Sequence, residues 1–227
     1  MTATLSPLAR APVPGPRVEE EPEQHFLLNN ISWEGYAAIG KALQDRPALR
    51  LVYDRGRLEL MTTSPRHEIY KKWLSRFLDV LAEELEQPKA TAGNMTFQNQ
   101  ALDCGLEADD CFWIEHEPQM RTKLDWDADN DPPPDLALEI EISRNILNRL
   151  AIYSALKIGE VWRFDGTLLR ILRLQPDGTY QEVAESHCFS GFPVQELARF
   201  LALAGTTDDL TIIRQFRTWV RQVLGKD

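Results

Sequence analysis

The sequence predicts a single α/β domain built on a mixed sheet, and three observations carry that expectation. A strand–turn–strand signal stands early in the chain and a long amphipathic helix follows it. A second helix in mid-chain is then followed by three strand signals separated by Asp-Gly turns. With 227 residues, 43% of them hydrophobic and 26% charged, the chain is long enough to bury one sizeable core. No run of about 18 apolar residues suggests a membrane span. The first residues lack the apolar segment of a secretory signal, so a cytoplasmic location is the default expectation.

Taken in order, residues 1–25 are rich in Pro, Ala and Glu (Pro7, Pro12, Pro14, Pro16, Glu19, Glu20, Glu21). They are expected to form a disordered tail, leaving 26–227 as one domain. Ser32 is placed to cap a short helix that runs to Leu43. Strands at 49–53 and 57–61 flank Asp54-Arg55-Gly56, a hairpin turn. A helix over 66–87 follows Ser64-Pro65. Its apolar stripe recurs at Ile69, Trp73, Phe77, Leu81 and Leu85, widened by Tyr70, Leu74 and Leu78, and Pro88 stops it. Strands are expected at 91–98, 111–116 and 135–142, with a solvated acidic loop at 125–131 before the last. A helix over 146–156 leads to a meander at 161–164, 168–174 and 180–184, and helices at 194–202 and 208–224 close the chain.

The strand at 135–142 is the unusual one. Alternation puts Asp135, Glu139 and Glu141 on one face and Leu136, Leu138, Ile140 and Ile142 on the other. Carboxylates converging on a core strand need neutralising, and a divalent cation is the usual means. The segment from Asp103 to Glu141 holds thirteen acids against Arg121 and Lys123, and so carries the whole of the chain's net charge of −10. Asp109, or its neighbour Asp110, stands at the mouth of the preceding strand. With Glu139 and Glu141 it makes a partial cage for a hard cation. The plainer reading has the Asp pair capping a turn and the glutamates facing solvent. Asp135, after three prolines, reads as a residue that shapes the turn. Cys104, Cys111 and Cys188 have neither zinc spacing nor a disulfide pattern, and read as structural thiols.

These residues together resemble the PD-(D/E)xK nuclease signature, and more closely the Uma2 family of endonucleases. The matching stretches are Met61-Thr62-Thr63-Ser64-Pro65-Arg66-His67-Glu68, Ala108-Asp109-Asp110-Cys111-Phe112-Trp113-Ile114 and Pro134-Asp135-Leu136-Ala137-Leu138-Glu139-Ile140. Arg149-Leu150-Ala151-Ile152-Tyr153 and Gly159-Glu160-Val161-Trp162-Arg163 complete them. The resemblance implies a restriction endonuclease-like fold, a mixed β-sheet flanked by α-helices. It further implies Mg²⁺ (or Mn²⁺)-dependent hydrolysis of DNA. Asp109 and Glu139 would be metal ligands, with Glu68 as an accessory carboxylate. The signature's Lys is replaced here by Glu141, which can act as a base or second ligand but supplies no positive charge. Arg149 can lend that charge electrostatically. The missing Lys and the net acidity support an alternative: a weak or inactive nuclease-fold protein that binds nucleic acid or a protein partner.

Glu68 also has a structural reading, as a helix N-terminal acid paired with Lys72. Two basic clusters are candidates for following a DNA backbone: Arg66, Lys71, Lys72 and Arg76 on the long helix, and Arg214, Arg217 and Arg221 on the last one. A solvated charged face is the commoner explanation for each. Trp126 reads either as a base-stacking residue or as a loop anchor. A homodimer would suit cutting both strands.

Overall fold

The structure, a computed structural model, describes residues 23–46, 48–93, 95–128 and 130–225. Most of the expected tail, residues 1–22, lies outside the described residues. Its last three residues belong to the fold: strand β1 (His25–Asn29) pairs antiparallel with β3 (Arg57–Thr62), and Glu23 is packed ahead of it.

Local chemistry sets the next elements much as expected. The Ser32 side chain accepts a bond from Gly35 N and caps α1 (Trp33–Leu43). Strand β2 (Leu49–Asp54) turns into β3 through Arg55 and Gly56, both at positive φ (46° and 81°), which matches the twist of a tight hairpin. Ser64 caps α2 (Pro65–Leu85), with Pro65 in its first turn. The α2 stripe drifts, because a repeat of four overshoots the helical 3.6. Trp73, Phe77 and Leu81 are buried, whereas Ile69 is half exposed.

Strands β4 (Ala90–Thr91), β5 (Thr96–Asn99), β6 (Cys104–Glu107) and β7 (Asp110–Trp113) follow. A short α3 (Glu117–Met120) and β8 (Leu136–Ile140) come next. Helix α4 (Arg149–Ala155) then precedes β9 (Glu160–Phe164), β10 (Leu169–Leu174) and β11 (Tyr180–Val183), and α5 (Leu197–Leu201) and α6 (Asp209–Val223) complete the order. The strand expected at 91–98 is really two, β4 and β5, which lie in different sheets; β6 and β1 were not anticipated.

The single expected sheet is a pair. One has the order β1-β3-β2-β6-β5 and is antiparallel throughout. The other has the order β11-β10-β9-β8-β7-β4 and is mixed, with β8 and β9 parallel. Leu136, Leu138, Ile140, Trp162 and Ile171 of the mixed sheet pack against α2, α5 and α6 through Phe77, Phe200 and Phe216. The opposite side contributes Ala137, Val161 and Leu172 to a second cluster with Val52 and Leu106 of the antiparallel sheet and with Ile152 and Tyr153 of α4. Tyr36 of α1 closes the far side of the antiparallel sheet over Leu51, Tyr53 and Leu58. Glu139 lies on the same side of β8 as Ala137, in the layer between the sheets.

Candidate active site

The β7–β8 ladder places the two leading acids. Its register pairs Asp110 with Leu138 and Cys111 with Ala137, so one further step sets Asp109 across from Glu139. Cross-strand neighbours of this kind bring their side chains together on one face. Both are sealed from solvent, Asp109 at 0% and Glu139 at 2% exposure. Asp109 Oδ2 accepts from the Ile140 amide at 2.7 Å, and its Oδ1 accepts from His67 Nε2 at 2.8 Å. Glu139 Oε2 accepts from Arg149 Nη1 at 2.8 Å, and its Oε1 accepts from the Tyr153 hydroxyl. Arg149 and Tyr153 are one helical turn apart on α4, which lays both over the same carboxylate.

The electrostatics separate the two acids. Burial pushes the Asp109 carboxyl up, but the His67 bond, the charges of His67 and Arg149 and the Ile140 amide outweigh it, and Asp109 is held below the usual range. Glu139 goes the other way. Burial raises it, Arg149 opposes, and the neighbouring Asp109 charge adds to the rise. Arg149 loses charge stability through burial and regains more from Glu139 and Asp109, so it stays a cation. His67 is disfavoured as a cation by burial, yet bonds to Asp109 and Glu23 raise it to about 9, so it is an imidazolium at neutral pH.

The remaining expected residues fall around this pair rather than in it. Glu141 lies just past β8 and pairs with Arg163 at 3.3 Å. With Glu139, Arg149, Tyr153 and Arg163 it lines a cavity of about 280 Å³. Glu68 faces Arg50 at 3.6 Å, not the expected Lys72. Asp110 turns to the opposite side, where it accepts from Ser75 Oγ of α2 at 2.5 Å. Asp135 accepts from the amides of Ile114 and His116 and from the His116 ring, fixing the turn as its sequence position suggested. Arg217 and Arg221 are tied to Glu83 and Glu84 of α2, so those two clamp the helices together although Arg221 stays half exposed. Trp126 anchors its loop, edge-on to Phe97 and donating to the Pro132 carbonyl. The three cysteines are buried free thiols.

The residues that sequence reasoning missed are the partners of the two acids and the groups that hold those partners: Arg50, His67, Tyr153, Glu23, His25 and Glu59. Two of them carried a signal. Arg50 and Glu59 interrupt otherwise apolar strands, β2 and β3, and both are buried. Charges on a core strand demand partners across the layer.

Among the described residues, no three His, Cys, Asp or Glu side chains stand together as a metal cage. A Mg²⁺ ion nevertheless needs only one or two protein carboxylates, with water and phosphate completing its shell. Each carboxylate offers about four lone-pair sites, and Asp109 and Glu139 each spend two on the donors above. Glu68 Oε1 is a buried atom without a hydrogen-bond partner, 3.6 Å from Arg50, which in turn comes within 4.0 Å of Asp109. The donor set therefore fits a hard divalent cation.

A mixed sheet with helices packed on its flank and paired acids where adjacent strands end is the architecture of restriction endonuclease-like proteins. The chain matches the Uma2 family model, described as a putative restriction endonuclease, over residues 33–202, about three quarters of its length. It belongs to the Uma2 family. A search of curated proteins found no match to the chain. Among the described residues no helix is long and apolar enough to cross a membrane.

Proposed function

We propose that the chain is a Mg²⁺-dependent endonuclease that hydrolyses DNA phosphodiester bonds, with Mn²⁺ able to substitute. The register that sets Asp109 across from Glu139 carries this reading. Those two carboxylates would hold the cation. When bound, it would acidify a water and neutralise charge on the phosphate. Arg149 keeps Glu139 in place, opposes the rise that burial imposes on it, and adds positive potential at the cavity it lines. Glu141, at the rim of that cavity, is the acid placed to orient or deprotonate the attacking water, with Arg163 limiting its rotation. Glu68 is an accessory group on the α2 side. Arg66, Lys71, Lys72 and Arg76 on α2 remain the candidate backbone-contacting surface; Arg76 is also engaged with Asp209 and stacked on Trp73. A homodimer is part of this reading, and the edge strand β1 exposes Phe26 and Leu28 where a second copy can pair.

One observation favours the binding-module alternative: Arg149 and Tyr153 each engage one oxygen of Glu139, a structural role that the fold alone would explain. Plasmid nicking decides between them. Wild type should nick supercoiled DNA in Mg²⁺ or Mn²⁺ and not in EDTA, and Glu139→Gln should abolish it. Intact plasmid with both proteins, alongside a salt-sensitive gel shift, would overturn the nuclease reading.

A further inference from the structure

Residues just before and within β1, assigned by sequence to a tail, reach into the layer between the sheets. Glu23 Oε1 accepts from His67 Nδ1 at 3.1 Å, and the other ring nitrogen of His67 donates to Asp109 at 2.8 Å. Glu23 Oε2 accepts from Ser143, three residues past the end of β8. Ser143 Oγ is 2.6 Å from His25 Nε2, and His25 Nδ1 is 2.6 Å from Glu59 Oε1. Glu59 in turn accepts from the amides of Ile146 and Leu147 at 3.0 and 2.8 Å, in the turn that launches α4. The side chains of Glu23, Glu59 and His67 are 2%, 0% and 0% exposed, so water does not compete for these bonds.

We infer that Glu23 and His25 are positioning residues for the Asp109–Glu139 site. One end of the network orients His67 onto Asp109. The other fixes the start of α4, from which Arg149 and Tyr153 reach Glu139. Glu23 lies between the two branches, so a segment from the start of the chain sets the geometry of both acids. Networks of this kind gain their worth from completeness, because a partly satisfied buried network leaves desolvated groups unpaired. The inference rests on the reading of Asp109 and Glu139 as cation ligands.

The test is a calorimetric Mn²⁺ titration of the full chain for wild type, Glu23→Gln and Ser143→Ala. Glu84→Gln, at the distant α2–α6 clamp, serves as a control for general loss of stability. Removing an outer partner of a metal ligand typically weakens metal binding roughly 10- to 100-fold. Glu23 and Ser143 act one and two steps further out through His67, so a loss of several-fold is expected in Glu23→Gln and Ser143→Ala, with Glu84→Gln binding as wild type does. Ser143→Ala removes only one hydroxyl and keeps the test open if Glu23→Gln folds poorly. Unchanged or tighter binding in both network variants overturns the inference. Should wild type itself bind no Mn²⁺, the metal-centre reading fails, and amide NMR without metal decides the network separately. Shifts at the Ile140 and Leu147 amides in both variants sustain it, and unmoved amides overturn it.

Discussion

Replacing Arg149 by Met removes the counter-charge of a buried carboxylate while keeping most of the side-chain volume. Arg149 Nη1 and Glu139 Oε2 are 2.8 Å apart, and at an effective dielectric near 20 their gross attraction is about 6 kcal/mol. Desolvation offsets part of that, and breaking a buried pair usually costs about 3–5 kcal/mol net. The structure adds a pH dependence. Burial raises Glu139 above its ordinary 4.5 and the Asp109 charge adds to the rise, with Arg149 the main opposing charge, so without Arg149 the folded state favours the protonated acid. Each pH unit above the unfolded value over which the folded state keeps that proton costs about 1.4 kcal/mol, so the deficit is small near pH 5 and grows toward pH 7. The sign follows from the folded state holding a proton that the unfolded state has released, so the variant loses stability as pH rises. Urea unfolding at the two pH values, with EDTA present, measures this. With a slope of about 2 kcal/mol/M, a net loss of about 3–5 kcal/mol lowers the midpoint by about 1.5–2.5 M at pH 7, and the drop should be much smaller at pH 5. Adding Glu139→Gln to Arg149→Met should restore most of the loss at pH 7. A variant within about 1 kcal/mol of wild type at pH 7, or a deficit that does not shrink toward pH 5, would refute the assignment of Arg149 as counter-charge.

Two further outcomes follow from the geometry. In EDTA, wild-type stability should fall on both sides of a plateau. Raised to about 9, His67 contributes stability that is complete below its unfolded 6.5 and lost as pH climbs through 9. Glu23, burial notwithstanding, is lowered to about 2 by its bonds to His67 and Ser143, and its contribution is complete above 4.5 and lost as pH falls through 2. Melting temperatures across pH 2 to 10 check both limbs, and His67→Gln should flatten the alkaline one. Gly105→Ala in β6 should cost about 1–3 kcal/mol by overpacking. Its new methyl would lie 2.6 Å from the Tyr36 hydroxyl and 3.1 Å from Gln98 Cβ, and the Tyr36 ring is pinned by stacking on Tyr53. A chemical denaturation curve matching wild type would show that Tyr36 has room to withdraw.

Local signals were legible wherever one short segment contains both the cause and the effect. Ser32 and Ser64 cap the helices they precede, Arg55-Gly56 turns the first hairpin, and the Asp-Gly turns divide β9, β10 and β11. Strand β6 was missed because Cys104-Gly105-Leu106-Glu107 lacks β-branched residues and draws its stability from pairing with β2 and β5. Strand β1 was missed because it is a short edge strand next to a Pro- and Glu-rich stretch. In the site, Asp109 and Glu139 could be read from strand spacing, since thirty residues of chain return the second beside the first. The partners of those acids could not. His67 meets Asp109 across 42 residues and Glu23 across 44, and no periodicity in the chain encodes either meeting. Glu141, one residue past the end of β8, keeps to the side of Glu139 as alternation has it, but it meets Arg163 of β9, a partner that no local pattern names.

Strands β6 and β7 follow one another with only Ala108 and Asp109 between them, yet they belong to different sheets. The aspartate therefore stands on the seam where one sheet hands the chain to the other. Ala108 beside it is fully buried and small, which leaves the seam little slack. Sliding of one sheet against the other at this seam is passed through those two residues to the Asp109 carboxylate, and so to its alignment with Glu139. Breathing of the whole domain and alignment of the two acids are in that sense a single mechanical coordinate.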